Sequence, residues 1–358
     1  MLHLANWTGL WAVAVLISAC ALEEPPDEST TESSLCSIFF CGDNAATGGD
    51  GLLFDEFDLF GDWNYAGVRL LGARWVPPSG GTSIPLTLDI QRHALSGIEP
   101  GGWRREGGAL VGTIIKLEYS AGGKSEIFEI LIDGYTQVQF LAGAMDGIPA
   151  YLMKARRQGE KKFDRYVCDQ KVLTADPYWA ETPRHALVYR GDRYDRLQKR
   201  VIADNDPNNG WSFIACAGSA GAKMHVFRHT HAGGFDLAGD PSFMRTPDER
   251  TILLKTITAD YCGNGSTFTV NGEALAFTAS TPFTMPALPP RTSTATPGAL
   301  ESYEAIWSAD GAVCIDTPRL AGVTAASITA TCGRTIPSCG FATAVWPWYG
   351  YAITGNPW

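Results

Sequence analysis

The stretch SYEAIWSADGAVCID, residues 302–316, places two short apolar runs on either side of Asp310-Gly311. Because Asp-Gly readily adopts the positive φ angles of a two-residue type I′ turn, this stretch predicts a β-hairpin. Three similar dipeptides stand beside runs rich in β-branched and aromatic residues: Asp133-Gly134, Asp146-Gly147 and Asn271-Gly272. Together these signals predict an all-β protein with antiparallel strands.

Further segments have the composition of short strands, although several are too apolar for strict alternation. They are GVRLLGARWV, LVGTIIKLEYS, HALVYRGDRYD, GWSFIACAG and RTILLKTITADYC. Helical candidates are short, since GSAGAKMHVF and PSFMRTPDER each predict only one or two turns. We therefore expect a β-rich fold of two antiparallel, disulfide-stapled blocks at 59–178 and 179–322, followed by a cysteine- and aromatic-rich tail at 323–358.

The composition narrows the class of protein. The chain has 358 residues, enough for two domains, and only 18% of them are charged. Frequent glycine, proline and aromatic residues favour a β-rich exported protein over a helical or disordered one. The formal net charge is -10 and no basic cluster stands out, so nucleic acid is excluded as a partner.

The N-terminus has the features of a targeting segment. Residues 1–19, MLHLANWTGLWAVAVLISA, contain no Lys, Arg, Asp or Glu and become steadily more apolar. They predict a lipoprotein signal peptide, because the residues up to Ala19 followed by Cys20 resemble a bacterial lipobox. Cys20 would then carry the lipid, although the usual basic n-region is missing. The alternative is a retained membrane-spanning helix, which needs roughly 20 apolar residues, whereas this run is shorter and interrupted.

The predicted anchor implies a location. Ala21, rather than Asp, follows Cys20, which by analogy with enteric sorting favours the outer membrane. The stretch ALEEPPDESTTESSL then holds five acidic residues and no basic one, so residues 20–58 are expected to form an extended acidic tether. We therefore expect the folded part to lie outside the cytoplasm, attached to the membrane through the N-terminal lipid.

Nine cysteines stand in the chain, and eight remain once Cys20 is lipidated. An even set in an exported protein predicts disulfide bonds. The candidates are Cys36, Cys41, Cys168, Cys216, Cys262, Cys314, Cys332 and Cys339. Cys36 and Cys41 are close enough in sequence to form a clip, as are Cys332 and Cys339. The sequence leaves three connectivities open for the other four cysteines.

A polar cluster follows one of the predicted strands at residues 258–265, TADYCGNG. On a strand, Asp260 and Cys262 would point to one face and Tyr261 to the other. We interpret the cluster as a structural corner, in which Cys262 bonds to another strand and the Asp260 carboxylate caps the turn at Gly263-Asn264-Gly265. The alternative is a site in which Asp260 is a general base or metal ligand and the turn holds an anion.

The same cluster carries a resemblance to a known family. TADYCGNG, with the segments STFTVNGE, ESYEAIWSADGAVCIDTPR, WSFIACAGSAGAKM and ALVYRGDRYD, resembles the ADYC-domain family of exported bacterial proteins, mostly myxobacterial and often lipid-anchored. The motif itself is Ala259, Asp260, Tyr261 and Cys262. Over about residues 180–320 the resemblance implies a cysteine-stapled exported domain without an established activity. It also implies an apolar contact between Met224 and Leu253, where relatives tend to carry a further cysteine pair.

The segment HVFRHTH is the densest group of polar side chains. His225, His229 and His231 could bind a metal, with Asp236 or Asp240 adding a carboxylate. The spacing matches no metalloenzyme motif, and the alternative is a solvated loop.

Two other segments offer candidate chemistry. Ser219 in AGSAG stands at a strand-to-helix turn, where serine hydrolases expose their nucleophile, but a turn of small residues is the simpler interpretation. Asp204, Asp206 and Asn208 have the oxygen density of a calcium loop, although Gly210 comes one place late for an EF-hand.

The C-terminal tail is rich in aromatic residues: Trp346, Trp348, Tyr349, Tyr351 and Trp358. Their rings could form a platform for sugars or peptides, or a flap that covers a sheet edge. These observations favour a lipid-anchored binding or structural module of the cell envelope, with a carbohydrate or protein ligand and no cofactor. The alternative is an extracytoplasmic hydrolase or metal-dependent enzyme that uses the His225–His231 region.

Overall fold

The computed structural model describes residues 55–91, 93–121, 123–139, 147–168, 179, 181–202, 210–234, 244–270, 276–279, 303–339 and 352–355. These residues belong to one compact unit, Ser33–Trp358. Several predictions lie outside them: the signal peptide, Cys20, nearly all of the tether, Cys36 and Cys41, the calcium loop, Asp236, Asp240 and the tail aromatic residues.

Seventeen strands lie in the described part of the chain. They are β1 (Glu56–Asp58), β2 (Val68–Trp75), β3 (Ile84–Gln91), β4 (Ala94–Ile98), β5 (Arg104–Glu106), β6 (Thr113–Ala121), β7 (Lys124–Gln139), β8 (Gly147–Arg157), β9 (Arg165–Tyr166), β10 (His185–Arg190), β11 (Arg193–Asp195), β12 (Arg200–Ile202), β13 (Trp211–Cys216), β14 (Ala276–Ala279), β15 (Tyr303–Ser308), β16 (Gly311–Ile315) and β17 (Ala352–Gly355).

Eleven of these strands form the main sheet, in the order β1-β13-β10-β8-β7-β6-β2-β3-β4-β5, with β9 paired to β8. A second sheet has the order β14-β17-β15-β16, and β11 and β12 form a separate ribbon. All the pairs are antiparallel, so the predicted β-rich antiparallel fold is confirmed. The main sheet contains strands from both predicted blocks, β2–β9 from residues 59–178 and β10 and β13 from residues 179–322.

The hairpin predictions have different outcomes. The hairpin predicted at residues 302–316 is confirmed, since Ser308 pairs with Gly311, but the two connecting residues are Ala309 and Asp310, and Asp310 lacks the positive φ of the predicted type I′ turn. The turn predicted at Asp133-Gly134 is wrong, because β7 runs through it with only a bulge and stays paired to β8 on both sides. β8 begins at Gly147, as predicted, but the residues linking it to β7 are not among those described. Residues 266–270, STFTV, do not form the predicted strand, and Asn271-Gly272 lies outside the described residues.

Three α-helices accompany the described strands: α1 (Ala220–Val226), α2 (Pro247–Ile257) and α3 (Ala325–Cys332). The short helix predicted in GSAGAKMHVF is confirmed as α1. RTILLKTI was predicted as a strand, and this is wrong, because it forms most of α2. Pro247 occupies the first helical turn and Thr246 and Glu249 form a capping box, which together start a helix here. No helix in the described ranges is long and apolar enough to cross a membrane.

The cores explain why these elements pack. One core contains side chains of β10 and β13 together with α1 and α2, and includes Met224 and Leu253, both fully buried. Another is formed by apolar residues of the main sheet, such as Ile132 and Met153. A third surrounds Tyr261, whose ring stacks on Trp307 at a centroid distance of 4.9 Å.

Three disulfide bonds join the described cysteines: Cys168–Cys216, Cys262–Cys332 and Cys314–Cys339, with Cα–Cα distances of 5.3, 4.9 and 4.9 Å. The clip predicted between Cys332 and Cys339 is therefore wrong. The reason is that α3 ends on Cys332 and carries it to the turn at Cys262, while the segment after α3 returns along β16, where the Ile315 N–H donates to the Pro337 carbonyl.

Candidate functional site

The ADYC corner, residues 255–265, is the C-terminal cap of α2 and not part of a strand. The Asp260 N–H donates to the Lys255 carbonyl at 2.9 Å, and the Ala259 N–H donates to the Thr256 carbonyl at 3.3 Å. This is the Schellman pattern of helix termination, in which the residue that donates the inner of the two bonds adopts the left-handed conformation. Ala259 occupies that position with a φ of 49°.

A buried ion pair closes the corner. Lys255 Nζ lies 2.7 Å from Asp260 Oδ2, and neither side chain is exposed. The Lys255 ammonium also donates to the carbonyls of Gln198 and Gly263, and the Asp260 carboxylate accepts from the N–H groups of Gly263 and Gly265. Burial lowers the pKa of Lys255, and the charge of Asp260 opposes that shift. Asp260 thus caps the glycine turn, as predicted.

Tyr261 belongs to a second buried polar group. Its hydroxyl donates to Glu304 Oε1 at 2.5 Å, and the Arg319 Nε donates to the same oxygen at 2.7 Å. Arg319 also donates to the Thr256 carbonyl at the end of α2. Burial, together with the neighbouring Glu304 charge, raises the pKa of Tyr261 well above its ordinary value, so the phenol stays protonated.

The corner therefore joins α2, β15 and the segment after β16. Cys262 adds a bond to α3, not to another strand as expected. Glu304 and Arg319 were missed from the sequence, although they are charged residues inside the resembling segment ESYEAIWSADGAVCIDTPR. Because the functional atoms of Asp260 and Tyr261 are buried and hydrogen-bonded within the fold, the corner pins the structure and presents no reactive group to a substrate.

The histidines lie on three different pieces of backbone. His225 is in α1, His229 follows the end of α1, and His231 lies in the loop beyond. His225 is fully buried, stacks on Tyr189 at 4.4 Å, and bonds through Nδ1 to Thr230 Oγ1 at 2.7 Å. His229 Nδ1 donates to the Phe227 carbonyl at 2.8 Å.

Burial keeps these rings neutral. It lowers the pKa of His225 well below the ordinary value and lowers the pKa of His229 to about 4. Within the described ranges, no group of three histidine, cysteine or acidic residues is arranged to hold a metal ion. His225 and His229 are thus part of the core beneath α1 and not of a solvated loop.

Ser219 is the N-cap of α1. Its hydroxyl accepts from the Ala222 N–H at 3.3 Å, its φ of -63° is unstrained, and its side chain is buried. A hydrolase nucleophile at such a turn is exposed on a strained backbone. Ser219 bonds to the Ala222 N–H, His225 to Thr230 and Asp260 to Lys255, so each of these side chains is engaged in a separate structural contact.

A different surface stands out beside β1. The loop at residues 59–67, here called the aromatic loop, connects β1 to β2 and carries three strongly exposed rings. Phe60 is 75% exposed, Trp63 42% and Tyr65 53%. Large apolar side chains grouped on an exposed loop are typical of binding surfaces. No sequence pattern pointed to these rings, because they fall between the predicted tether and the first predicted strand.

Internal hydrogen bonds hold the aromatic loop rigidly. The Asp58 carboxylate accepts from the N–H groups of Phe60 and Asp62 at 2.8 and 3.1 Å. The Asn64 amide oxygen accepts from the N–H groups of Ala66 and Val68, and its amide nitrogen donates to the Glu56 carbonyl at 2.6 Å. The rings therefore project from a backbone that is already ordered.

Arginine side chains cover one side of two of these rings. The Arg69 guanidinium lies 4.4 Å from the Trp63 ring centroid, and that of Arg196 lies 5.4 Å from Tyr65. Both distances are within the range of a cation–π contact. Each arginine is also paired with a carboxylate, Arg69 with Glu118 at 2.6 Å and Arg196 with Asp55.

The ADYC corner contacts the turn between β11 and β12, which carries Arg196. Gly265 packs so closely against the turn between β11 and β12 that a Cβ atom there would lie 1.6 Å from the Leu197 carbonyl oxygen. Lys255 holds the next carbonyl of that turn, Gln198, at 2.7 Å. Because Arg196 of this turn stacks on Tyr65, the corner is linked to the aromatic loop through a short run of backbone.

Comparison with known protein families identifies a domain in the chain. A family model described as the ADYC domain matches residues 107–321, more than half of the chain. The matched range includes β6–β16, α1, α2 and the corner, whereas β1–β5 and the aromatic loop precede it. No curated protein and no solved structure matches the chain.

Proposed function

Because the chain belongs to the ADYC domain family, we propose that it is a lipid-anchored protein of the cell envelope that acts as a binding module. In this proposal Cys20 carries the lipid, the acidic tether spaces the folded unit from the outer membrane, and the aromatic loop contacts the ligand. The family match concerns only the ADYC domain. Other observations support the lipid anchor and the binding role.

Two observations support export and anchoring. Residues 1–19 end in a lipobox-like sequence before Cys20. All six cysteines among the described residues are paired in disulfide bonds, which persist in oxidising compartments and are rare in the cytosol. A folded unit with this many disulfides fits a location outside the cytoplasm.

The binding role depends on one observation, the preordered aromatic loop. A single exposed ring is ordinary, whereas several exposed rings on one loop are typical of an interaction surface. Phe60, Trp63 and Tyr65 form such a group, and Trp103 does not. The hydrolase alternative has no comparable support, because Ser219 and His225 are buried in separate contacts.

Anchoring is tested by labelling cells with a radioactive fatty acid and fractionating them. Wild-type protein should carry the label and remain with the membranes, whereas Cys20→Ala should lose the label. Cys36→Ser, which changes another cysteine of the N-terminal region, should leave the label in place. Equal labelling of wild type and Cys20→Ala would exclude the proposed anchor.

Binding is tested with the unanchored mature chain, residues 21–358, which contains the whole compact unit. This protein is mixed with isolated cell envelopes and sedimented. It should co-sediment, and the Phe60→Ser/Trp63→Ser/Tyr65→Ser variant should stay in solution. Trp103→Ser removes a 76% exposed ring from a different turn and serves as the matched control. If wild type stays in solution, or the triple variant sediments equally well, the proposed binding role is wrong.

A further inference from the structure

The chemistry around the aromatic loop favours an uncharged ligand. Arg69 and Arg196, which contact rings of the loop, are paired with the carboxylates of Glu118 and Asp55, and Arg193 is paired with Glu56 in the adjoining β1. An anionic ligand would have to displace one of these ion pairs. Each ion pair is neutral overall, so these arginines attract neither an anionic nor a cationic ligand.

The rings suit a ligand with flat apolar faces. Arg69 covers one face of the Trp63 indole and Arg196 lies over the ring of Tyr65, so the exposed surface of each ring is its remaining face and edge. A pyranose ring has an apolar face of C–H groups that can stack on such a surface. Phe60, with 75% of its surface exposed, extends the apolar area along the same loop.

The loop also carries hydrogen-bonding groups. Asp62 is exposed and lies between Phe60 and Trp63 in the loop, and the described residues form no ion pair with its carboxylate. Carboxylate oxygens accept hydrogen bonds from hydroxyl groups, and the Tyr65 hydroxyl can donate or accept. Flat apolar faces with hydroxyl groups at their edges are the surface of a sugar chain.

The backbone of the aromatic loop is ordered before a ligand binds. Because the Asp58 and Asn64 side chains already fix the loop backbone, little conformational entropy is lost when a ligand binds. A small loss of conformational entropy matters most for a ligand that makes few strong contacts with the protein.

We propose that Phe60, Trp63 and Tyr65 form a stacking platform for a neutral polysaccharide, whose hydroxyl groups donate hydrogen bonds to Asp62. This inference rests on the proposed binding function and names its ligand class. Because the aromatic loop lies outside the residues that match the ADYC domain, the ligand would be a property of this chain and not of the whole family.

The test is native affinity electrophoresis of residues 21–358 in gels containing one polysaccharide each. The neutral probes are hydroxyethyl cellulose, laminarin, arabinoxylan, galactomannan and dextran, and the anionic probe is polygalacturonate. At least one neutral probe should retard the wild type. Trp63→Ala should weaken that interaction about tenfold or more, since buried aromatic contacts dominate binding energies. Asp62→Ala should weaken it severalfold, and Trp103→Ala should have no effect.

Three outcomes would overturn the inference: no retardation by any neutral probe, stronger retardation by polygalacturonate, or an equal effect of Trp63→Ala and Trp103→Ala. The envelope sedimentation assay distinguishes this failure from that of the proposed function. If sedimentation still depends on the three rings while every neutral probe fails, the binding module stands with a ligand of another class. If sedimentation fails as well, both proposals are wrong.

Discussion

Lys255 and Asp260 form a buried ion pair with a nitrogen–oxygen distance of 2.7 Å, and both side chains are shielded completely from solvent. They occupy the two positions of a Schellman motif that usually make an apolar contact. Here that contact is a charged pair with further hydrogen bonds to Gln198, Gly263 and Gly265. The pair therefore joins the end of α2 to two turns.

Removing one partner of this pair should be strongly destabilising, because it leaves the other charge buried. We expect Lys255→Met and Asp260→Ala each to lower the free energy of unfolding by about 3–5 kcal/mol. The measurement is urea unfolding followed by circular dichroism. Lys154→Met is the matched control, since Lys154 pairs with Asp133 at the same 2.7 Å but in partial contact with solvent. Its cost should stay below about 1 kcal/mol. Similar losses for Lys154→Met and Lys255→Met would contradict this account of the corner.

The left-handed backbone at Ala259 predicts an unusual response to glycine. The left-handed conformation costs a residue with a side chain about 1–2 kcal/mol, whereas glycine adopts it without that cost. Ala259→Gly should therefore raise the stability by about 0.5–1 kcal/mol after the extra entropy of glycine in the unfolded chain is subtracted. Ala222→Gly, at a buried position inside α1, should instead lower it by about 1 kcal/mol. The thermal unfolding midpoints of the two variants should move in opposite directions, and a parallel decrease would show that Ala259 is not strained.

Gly265 should tolerate no side chain, because of the close approach to the turn between β11 and β12. A Cβ atom would lie 1.6 Å from the Leu197 carbonyl oxygen, so Gly265→Ala must displace that turn. Gly80 has a similar positive φ of 78° but nothing within 4 Å of its Cβ position, so Gly80→Ala measures the backbone strain alone. Gly265→Ala should cost more stability than Gly80→Ala and should also weaken envelope binding, since the displaced turn carries Arg196. Equal behaviour of the two variants would remove the proposed link between the corner and the aromatic loop.

The buried histidines should make the protein acid-sensitive. The pKa of His229 is lowered to about 4 by burial, whereas an unfolded histidine has a value of about 6.5. The unfolded chain thus binds the proton first, and stability is lost as the pH falls from about 6.5 toward 4. For His229 alone the loss amounts to about 3 kcal/mol, and the pKa of His225 is lowered in the same direction. Urea midpoints measured across this range should fall steeply, and less steeply in His229→Leu. An unchanged slope in that variant would show that His229 is not buried as a neutral ring.

The sequence predicted the strands better than it predicted the helices. The hairpin of β15 and β16 was predictable because Asp and Gly favour turns between apolar runs, although its connecting residues are Ala309 and Asp310. The helical candidate PSFMRTPDER contains the first turn of α2, but the rest of α2 was missed because it is buried on all sides from Arg250 to Ile257, so no polar face gives it a helical period. The capping box at Thr246 and Glu249, with Pro247 between them, was the available signal. Asp133-Gly134 failed as a turn because the flanking residues pair with β8 on both sides of the bulge.

The candidate site was predictable only in part. That Asp260 caps a glycine turn could be predicted, since carboxylates bond to nearby backbone N–H groups wherever the chain turns. The pairing of Asp260 with Lys255 could not be predicted, because it depends on the end of a helix and this segment was predicted to be a strand. The contact of Arg196 with Tyr65 in the aromatic loop could not be predicted, because the two residues are far apart in sequence and only the fold brings them together.

The central claim is that the ADYC motif is a disulfide-pinned corner in a protein that folds outside the cytoplasm. Mass spectrometry of peptides from the unreduced protein, purified from its native membranes, tests this claim most directly. We predict peptides linked through Cys262–Cys332, Cys314–Cys339 and Cys168–Cys216. A linkage between Cys332 and Cys339, or a free thiol at Cys262, would contradict it.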